Sequence, residues 1–303
     1  MRRFWPLLFF VSIFAMAILG INTQLSTGKN QHLKPQRIIT LAPSITETVF
    51  ALDLGDSVVG VTDYCDYPPT ASKLPKVGGF INPNFEAILS LQPDLVILLS
   101  QHQKVIQQLS QLNIPTLAVD NSTLKGITES IKTIGQATDQ TKQSAQLLAN
   151  IDQKINYIQS KTAHLSKPSV LISMGHSLGG EQLNTVYIAG QNDFYNDLIS
   201  LAGGQNVYQQ TQIKVPSLSV EGILQLNPDI ILDIFPEADD HHADLSQVLK
   251  QWQKLKFVNA VKHDHIYFIE QNYATIPGPR IFLLLEKIAK FIHPEIDWED
   301  KGS

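Results

Sequence analysis

The chain has a single cysteine, Cys65. An intrachain disulfide is therefore impossible, and zinc sites built from several thiolates are excluded. Charge is sparse and nearly balanced: 17% of the 303 residues are charged, with 23 Lys and Arg against 28 Asp and Glu, a net charge of −5. So mild an acidity lacks the basic surplus on which nucleic-acid binding draws, and no nucleic-acid partner is expected. With 43% hydrophobic residues the composition is globular rather than disordered.

Long apolar runs are also scarce, and the only one lies at the start. Arg2 and Arg3 precede an apolar stretch from Phe4 to Ile21. A short basic segment followed by an apolar one is the layout of a secretory signal, and Ala15-Met16-Ala17 offers small residues at a cleavage spacing. The competing reading is an uncleaved anchor, for which this stretch is near the lower length limit and carries Pro6. No cysteine follows the run, which excludes a lipid-modified N-terminus of the bacterial lipoprotein kind as an expectation. Residues 1–21 are thus read as signal peptide or membrane anchor, and residues 22–36 as a polar linker.

The remainder alternates short apolar strands with helices. Strands are expected at Arg37–Leu41, Ser57–Val61, Leu95–Leu99, Thr116–Val119, Ser169–Met174, Ile230–Ile234 and Ile266–Ile269. Helices are expected at Ile45–Leu52, Phe85–Leu91, Gln103–Leu112, Asp193–Leu201, Ser219–Leu226, Leu245–Gln251 and Arg280–Phe291. This alternation points to α/β architecture with parallel-type sheets. Ser44, with Glu47 three positions on, reads as a capping box for the first helix. From Asp139 to about His164 there is no Gly or Pro, and Leu148, Ile151, Ile155, Ile158, Thr162 and Leu165 recur at helical spacing. A helix of that length is long enough to tie two lobes together.

A repeat supports the two-lobe reading. Residues 84–97 (NFEAILSLQPDLVI) and 219–232 (SVEGILQLNPDIIL) share six of fourteen positions at a constant offset of 135. Each copy is a short helix, a Pro-Asp stop and a buried strand. The offset is too long for a solenoid and suits two similar lobes facing each other across a cleft. Glu86 and Glu221 fall at matching places, early in matching helices. Each suits the helix dipole, and together they suit a symmetric partner with basic pockets. The lobes are placed at 37–136 and 166–303, with the connecting helix at 137–165.

Two motifs compete with a binding role. Gly175-His176-Ser177-Leu178-Gly179 fits the G-x-S-x-G elbow of α/β-hydrolases, with Asp229 or Asp233 and His263 or His265 in the required order. Against it, residues 184–187 read as extended structure where the elbow demands a helix. Asp239-Asp240-His241-His242-Ala243-Asp244 could hold a divalent ion, but adjacent residues seldom converge on one metal. A bare metal-ion receptor would need three or four ligands in the cleft, where only His176 is evident.

The stretches RIITLAPSITETVFALDLGDSVVGVTDYCDYPP and LPKVGGFINPNFEAILSLQPDLVIL, with GGQNV at 203–207 and PGPRI at 277–281, resemble the periplasmic solute-binding proteins of ABC importers for vitamin B12 and ferric siderophores. The resemblance runs from about Arg37 to about Ile292. It implies two α/β lobes on one rigid helix, no catalysis and no resident cofactor or metal. It further implies a small-molecule metal chelate held in the cleft, and delivery from the periplasm by a monomer to a membrane permease and its ATPase. It matches Glu86 and Glu221 to the glutamates that dock onto arginine pockets of the permease. It assigns the cleft to Pro43, Ser44, Tyr64, Tyr67, Phe80 and Asn82 from the first lobe. From the second it assigns His176, Pro216, Leu218, Tyr273 and Arg280, the last as a partner for an anionic ligand group. Two departures stand out. Cys65 cannot form the disulfide of close B12 binders, since Ala202 occupies one cysteine position, and the tryptophans expected around a corrinoid are missing from the cleft segments.

Overall fold

The computed structural model describes residues 34–176, 183–236 and 245–298. The Asp239–Asp244 cluster and Ser177-Leu178-Gly179 lie outside them.

The first sheet contains β1 (Ile38–Thr40), β2 (Val58–Val61), β3 (Leu95–Leu99) and β4 (Thr116–Val119), in spatial order β2-β1-β3-β4 and all parallel. Its strands alternate faces with period two. Ile38, Leu95, Ile97 and Leu99 point into one buried cluster, whereas Ile39, Leu41, Val96 and Leu98 point into another on the opposite face. Both faces must be covered by helices, which is why the strands read as continuous apolar runs. The helices are α1 (Pro43–Ala51), α2 (Phe85–Ser90), α3 (Gln103–Gln111) and α4 (Leu124–Ala137). Helix α4 was not foreseen. Gly126 and Gly135 interrupt its apolar pattern, yet Ile127, Ile131 and Ile134 form a fully buried stripe.

The second sheet is mixed. Strands β5 (Ser169–His176), β9 (Ile230–Ile234) and β10 (Ile266–Ile269) run parallel, β6 (Thr185–Ile188) is antiparallel to β5, and β8 (Ser217–Ser219) is antiparallel to β6. The two-residue β7 (Gln205–Asn206) also pairs with β5. Helices α6 (Phe194–Leu201), α7 (Val220–Leu226), α8 (Leu245–Gln253), α9 (Asn259–Lys262) and α10 (Ile281–Ile292) cover it.

Between the sheets runs α5 (Thr141–Thr162), 22 residues or roughly 33 Å long. It starts two residues later than the sequence pattern suggests, because Asp139 adopts a left-handed φ of 56° and breaks the helix there. Its stripe is realised: Ile151, Ile158 and Thr162 are buried, with Leu148 and Ile155 packed alongside. Helix α5 packs against α4 of the first lobe and against α6 and α10 of the second. One apolar cluster consequently runs from Ile38 through Ile134 and Ile151 to Ile288, so the lobes share a core.

The repeat has a structural counterpart at each position. Asn84 and Ser219 cap α2 and α7, accepting from the Ala87 and Gly222 amides at 3.1 and 3.4 Å. Gln92 and Asn227 both take φ of 46°, the left-handed turn that ends the helix before proline. Asp94 then accepts from the Arg37 amide at 3.0 Å, and Asp229 from the Ser169 amide at 2.9 Å. In each lobe the Pro-Asp carboxylate therefore clips the start of that lobe's first strand.

Candidate ligand-binding cleft

A cavity of about 960 Å³ opens where the C-terminal ends of both sets of parallel strands meet. Ala42, Pro43 and Ser44 follow β1, Tyr64, Asp66 and Tyr67 follow β2, Leu99 ends β3 and Gln101 comes after it, and Asn121 and Ser122 follow β4. From the other lobe come Met174 near the end of β5, Pro236 after β9, and Asn272, Thr275, Ile276 and Pro277 after β10. This is where open α/β sheets accept ligands, because strand ends leave a crevice that the helices do not fill.

Of the residues expected in the cleft, Pro43, Ser44, Tyr64, Tyr67, Phe80 and Asn82 line it. Tyr64 is 69% exposed and neighbouring Ile81 74%, so large apolar surface stands open at the cavity rim. Phe80 is braced edge-on by His102 at 4.5 Å. Four residues expected from the second lobe lie off the cavity lining. Pro216 is buried, its carbonyl accepting from the Ile188 amide. Leu218 alternates inward on β8 and packs into the second lobe's outer core. Tyr273 and Arg280 sit behind the lining, with the Arg280 guanidinium 5.6 Å from the Tyr273 ring. The lining instead uses Lys214 and Val215, which immediately precede Pro216. The side chain of His176 lies outside the described residues.

Arg280 does not offer itself to an anionic ligand. Its Nη2 and Nε donate to Glu47 Oε1 and Oε2 at 2.5 and 2.9 Å, and its guanidinium lies 3.9 Å from the Tyr67 ring centre. Glu47 is only 2% exposed in its side chain. Burial pushes its carboxyl pKa up, and Arg280 pulls against that shift. The capping box is accordingly absent: Ala42 is the N-cap, Pro43 occupies the first turn, and Ser44 points to Asn121 at 3.1 Å. Asn121 also donates to the Pro277 carbonyl at 2.9 Å, and Phe194 N donates to Ser122 O. These residues stitch the lobes at the cavity floor. Sequence reasoning missed Glu47, Asn121 and Tyr195 as cleft residues. The position of Asn121 just after β4 was the available signal; the Glu47–Arg280 pairing had none, because its members lie 233 positions apart.

Glu86 and Glu221 are exposed in the first turns of α2 and α7, four and six residues after cavity-lining Asn82 and Val215. A hydrogen bond from Ser219 holds the Glu221 carboxyl below the ordinary carboxylate range, with its own backbone amide assisting.

The hydrolase arrangement finds no support. Strand β5 returns as antiparallel β6, with His176 opposite Val186, where the elbow requires a helix. Asp229 and His265 stand at the N-terminal end of the parallel strands, the carboxylate bound by Ser169, while Ser177 follows the C-terminal end of β5. Asp233 is buried and accepts from Trp252 Nε1 at 2.6 Å. Among the described residues, no three His, Cys, Asp or Glu side chains are grouped to hold a metal ion. Cys65 is buried and bonded to the Thr46 and Thr62 hydroxyls.

Two lobes with facing strand ends, a shared core and an intervening cavity define a bilobal α/β binding protein. Comparison with known proteins agrees: the family model described as "Periplasmic binding protein" matches residues 38–273, and the chain belongs to that family. It is 31% identical over 291 residues to an uncharacterized ABC transporter substrate-binding lipoprotein, YvrC, of Bacillus subtilis, covering 93% of this chain and 87% of that one. It is 27% identical to the vitamin B12-binding protein of Pectobacterium atrosepticum, covering 84% and 87%. Among solved structures, S. aureus IsdE complexed with heme superposes with a TM-score of 0.71 at 27% identity, over 84% of this chain and 98% of that one. The protein is a substrate-binding protein of the ABC transporter type. Its family is one of binding proteins rather than enzymes, and among the described residues no helix is long and apolar enough to cross a membrane.

Proposed function

We propose that this chain captures a metal chelate, a ferric siderophore or a corrinoid, in the periplasm and delivers it to an ABC importer's permease and ATPase without catalysing a reaction. The carrying observation is the cavity of about 960 Å³ between two sets of strand ends, with Tyr64, Tyr67 and Phe80 along its wall. That volume suits a bulky ligand, and flat aromatic faces suit a macrocycle or aromatic chelator. The B12-binding and haem-complexed relatives support the chelate class. The protein acts as a monomer of two lobes, residues 37–136 and 166–303, joined by a connecting segment at 137–165.

Delivery runs through Glu86 and Glu221, which meet basic pockets on the permease. Both are exposed, each sits within six residues of the lining, and charge at an exposed rim serves mainly steering and register. The double variant Glu86→Ala, Glu221→Ala is expected to abolish uptake in cells while leaving ligand affinity of the purified protein intact. A parallel fall in affinity would remove the docking role.

A further inference from the structure

We infer that the cleft selects neutral or cationic chelates and discriminates against those carrying several negative charges. The inference rests on the chelate-binding reading above and concerns the charge class of its ligand.

Among the described residues lining the cavity, the carboxylates are Glu47, Asp66 and Asp193 and the amine is Lys214. Anions are recognised most strongly by guanidinium groups offering parallel donors. The guanidinium nearest the cavity belongs to Arg280, and its Nε and Nη2 are both spent on Glu47. One face of its plane lies against Tyr67. A ligand carboxylate or catecholate would have to displace a buried intramolecular partner that is already in place. With that pair self-neutralised, Asp66 and Asp193 face a single cation among the described lining residues, exposed Lys214. Asp193 is itself fixed, accepting from the Tyr195 amide at 3.0 Å as the cap of α6.

A tris-catecholate ferric complex carries three negative charges and would meet two carboxylates for one ammonium. The two carboxylates of haem would face the same shortage. Among the described residues the remaining polar lining is neutral, and within it Asn82, Gln101 and Asn272 carry amides, which hydrogen-bond equally well to the carbonyl, amide and hydroxamate groups of uncharged chelates. Like-charge opposition of this kind is a device of specificity more than of affinity.

The test is a titration of the purified full-length protein with four probes: neutral cyanocobalamin, the cationic ferric complex of a linear trihydroxamate, a ferric tris-catecholate, and haem. At least one of the first two is expected to bind with a Kd at least about tenfold below that of either anionic probe. That gap should narrow when salt rises from about 0.1 M to about 1 M, which shortens the screening length from roughly 10 to 3 Å. It should narrow again in Asp66→Lys, an exposed position where the fold has little at stake. An anionic probe binding as tightly as the neutral ones overturns the charge inference and leaves the chelate-binding reading standing. A gap indifferent to both salt and Asp66→Lys shows that selection is steric, which also overturns it. Binding of none of the four removes both readings.

Discussion

Glu47 in α1 and Arg280 at the N-cap of α10 lie 233 positions apart and form a nearly buried pair with two hydrogen bonds. Taking two charges out of water is costly, so the pair is not a net stabiliser by default; removing one member, however, strands the other. Arg280→Met and Glu47→Leu are each expected to lower unfolding free energy by about 3–5 kcal/mol. The double variant should lose less than the sum of the two, because no charge is left without a partner. Chemical denaturation of all four proteins measures this, and strict additivity would show that the side chains act independently. The pair was illegible in the sequence for a plain reason. Glu47 sits at the position where a capping box expects an acid, and local pattern gave it a local role. Tertiary structure supplied a stronger partner. Asn121 differs in part: its place just after β4 signals the cleft, but not that its amide bonds both Ser44 and the Pro277 carbonyl.

At the scale of elements, the duplicated helix-turn-strand unit explains itself once its hydrogen bonds are placed. The Pro-Asp carboxylate that looks like a helix stop is a clip onto the neighbouring strand. In the second lobe Asp229 accepts from Ser169 N and Oγ and from Asn259 Nδ2, at 2.9, 2.7 and 3.2 Å. Partial burial alone would raise its pKa; the Ser169 and Asn259 donors outweigh that and hold the carboxyl below the ordinary range. A lowered folded-state pKa means that the unfolded chain binds more protons, so the clip's contribution is complete above the ordinary carboxylate pKa and disappears as pH falls through the folded value. Asp229→Ala should therefore cost about 1–2 kcal/mol at neutral pH, a figure reduced for the partial exposure of the carboxylate. The deficit relative to the parent protein should shrink below the ordinary carboxylate pKa and vanish once pH is below the lowered folded-state value. Urea denaturation at a series of pH values checks it, and a deficit constant into acid would assign the loss to packing. Strands were legible because sheets covered on both faces need unbroken apolar runs. Helix α4 was not, since its two glycines hide a buried isoleucine stripe whose purpose is to pack on α5.

At the scale of the molecule, the shared core decides how the lobes behave. Apolar residues of β1, β3, α4, α5, β5, β9 and α10 belong to one cluster, and Asn121, Ser122 and Glu47 bond across the lobes beside the cavity. Exposing either lobe would expose the inner face of the other. Thermal unfolding is accordingly expected as one cooperative transition, with calorimetric and van't Hoff enthalpies in agreement. Two resolved transitions in scanning calorimetry would show that the lobes are energetically separate. A shared core also limits hinge motion, so a ligand enters a largely preformed cleft and less of its binding free energy goes into ordering the protein.

By itself the sequence determined the alternation of strands and helices, the duplication, the long connecting helix and the aromatic loops of the first lobe. Each of these depends on local periodicity or on turn residues close in the chain, and such signals survive in one dimension. Only the tertiary structure decided what fills the second lobe's side of the cleft and which charges remain available there. Lys214 and Val215 line the cavity while Pro216 and Leu218 turn away, a choice made by the pairing register of β8 with β6. Arg280 reads as an anion receptor until Glu47 is seen to occupy it. Long-range pairing of charges is set by packing, and sequence spacing carries no record of it.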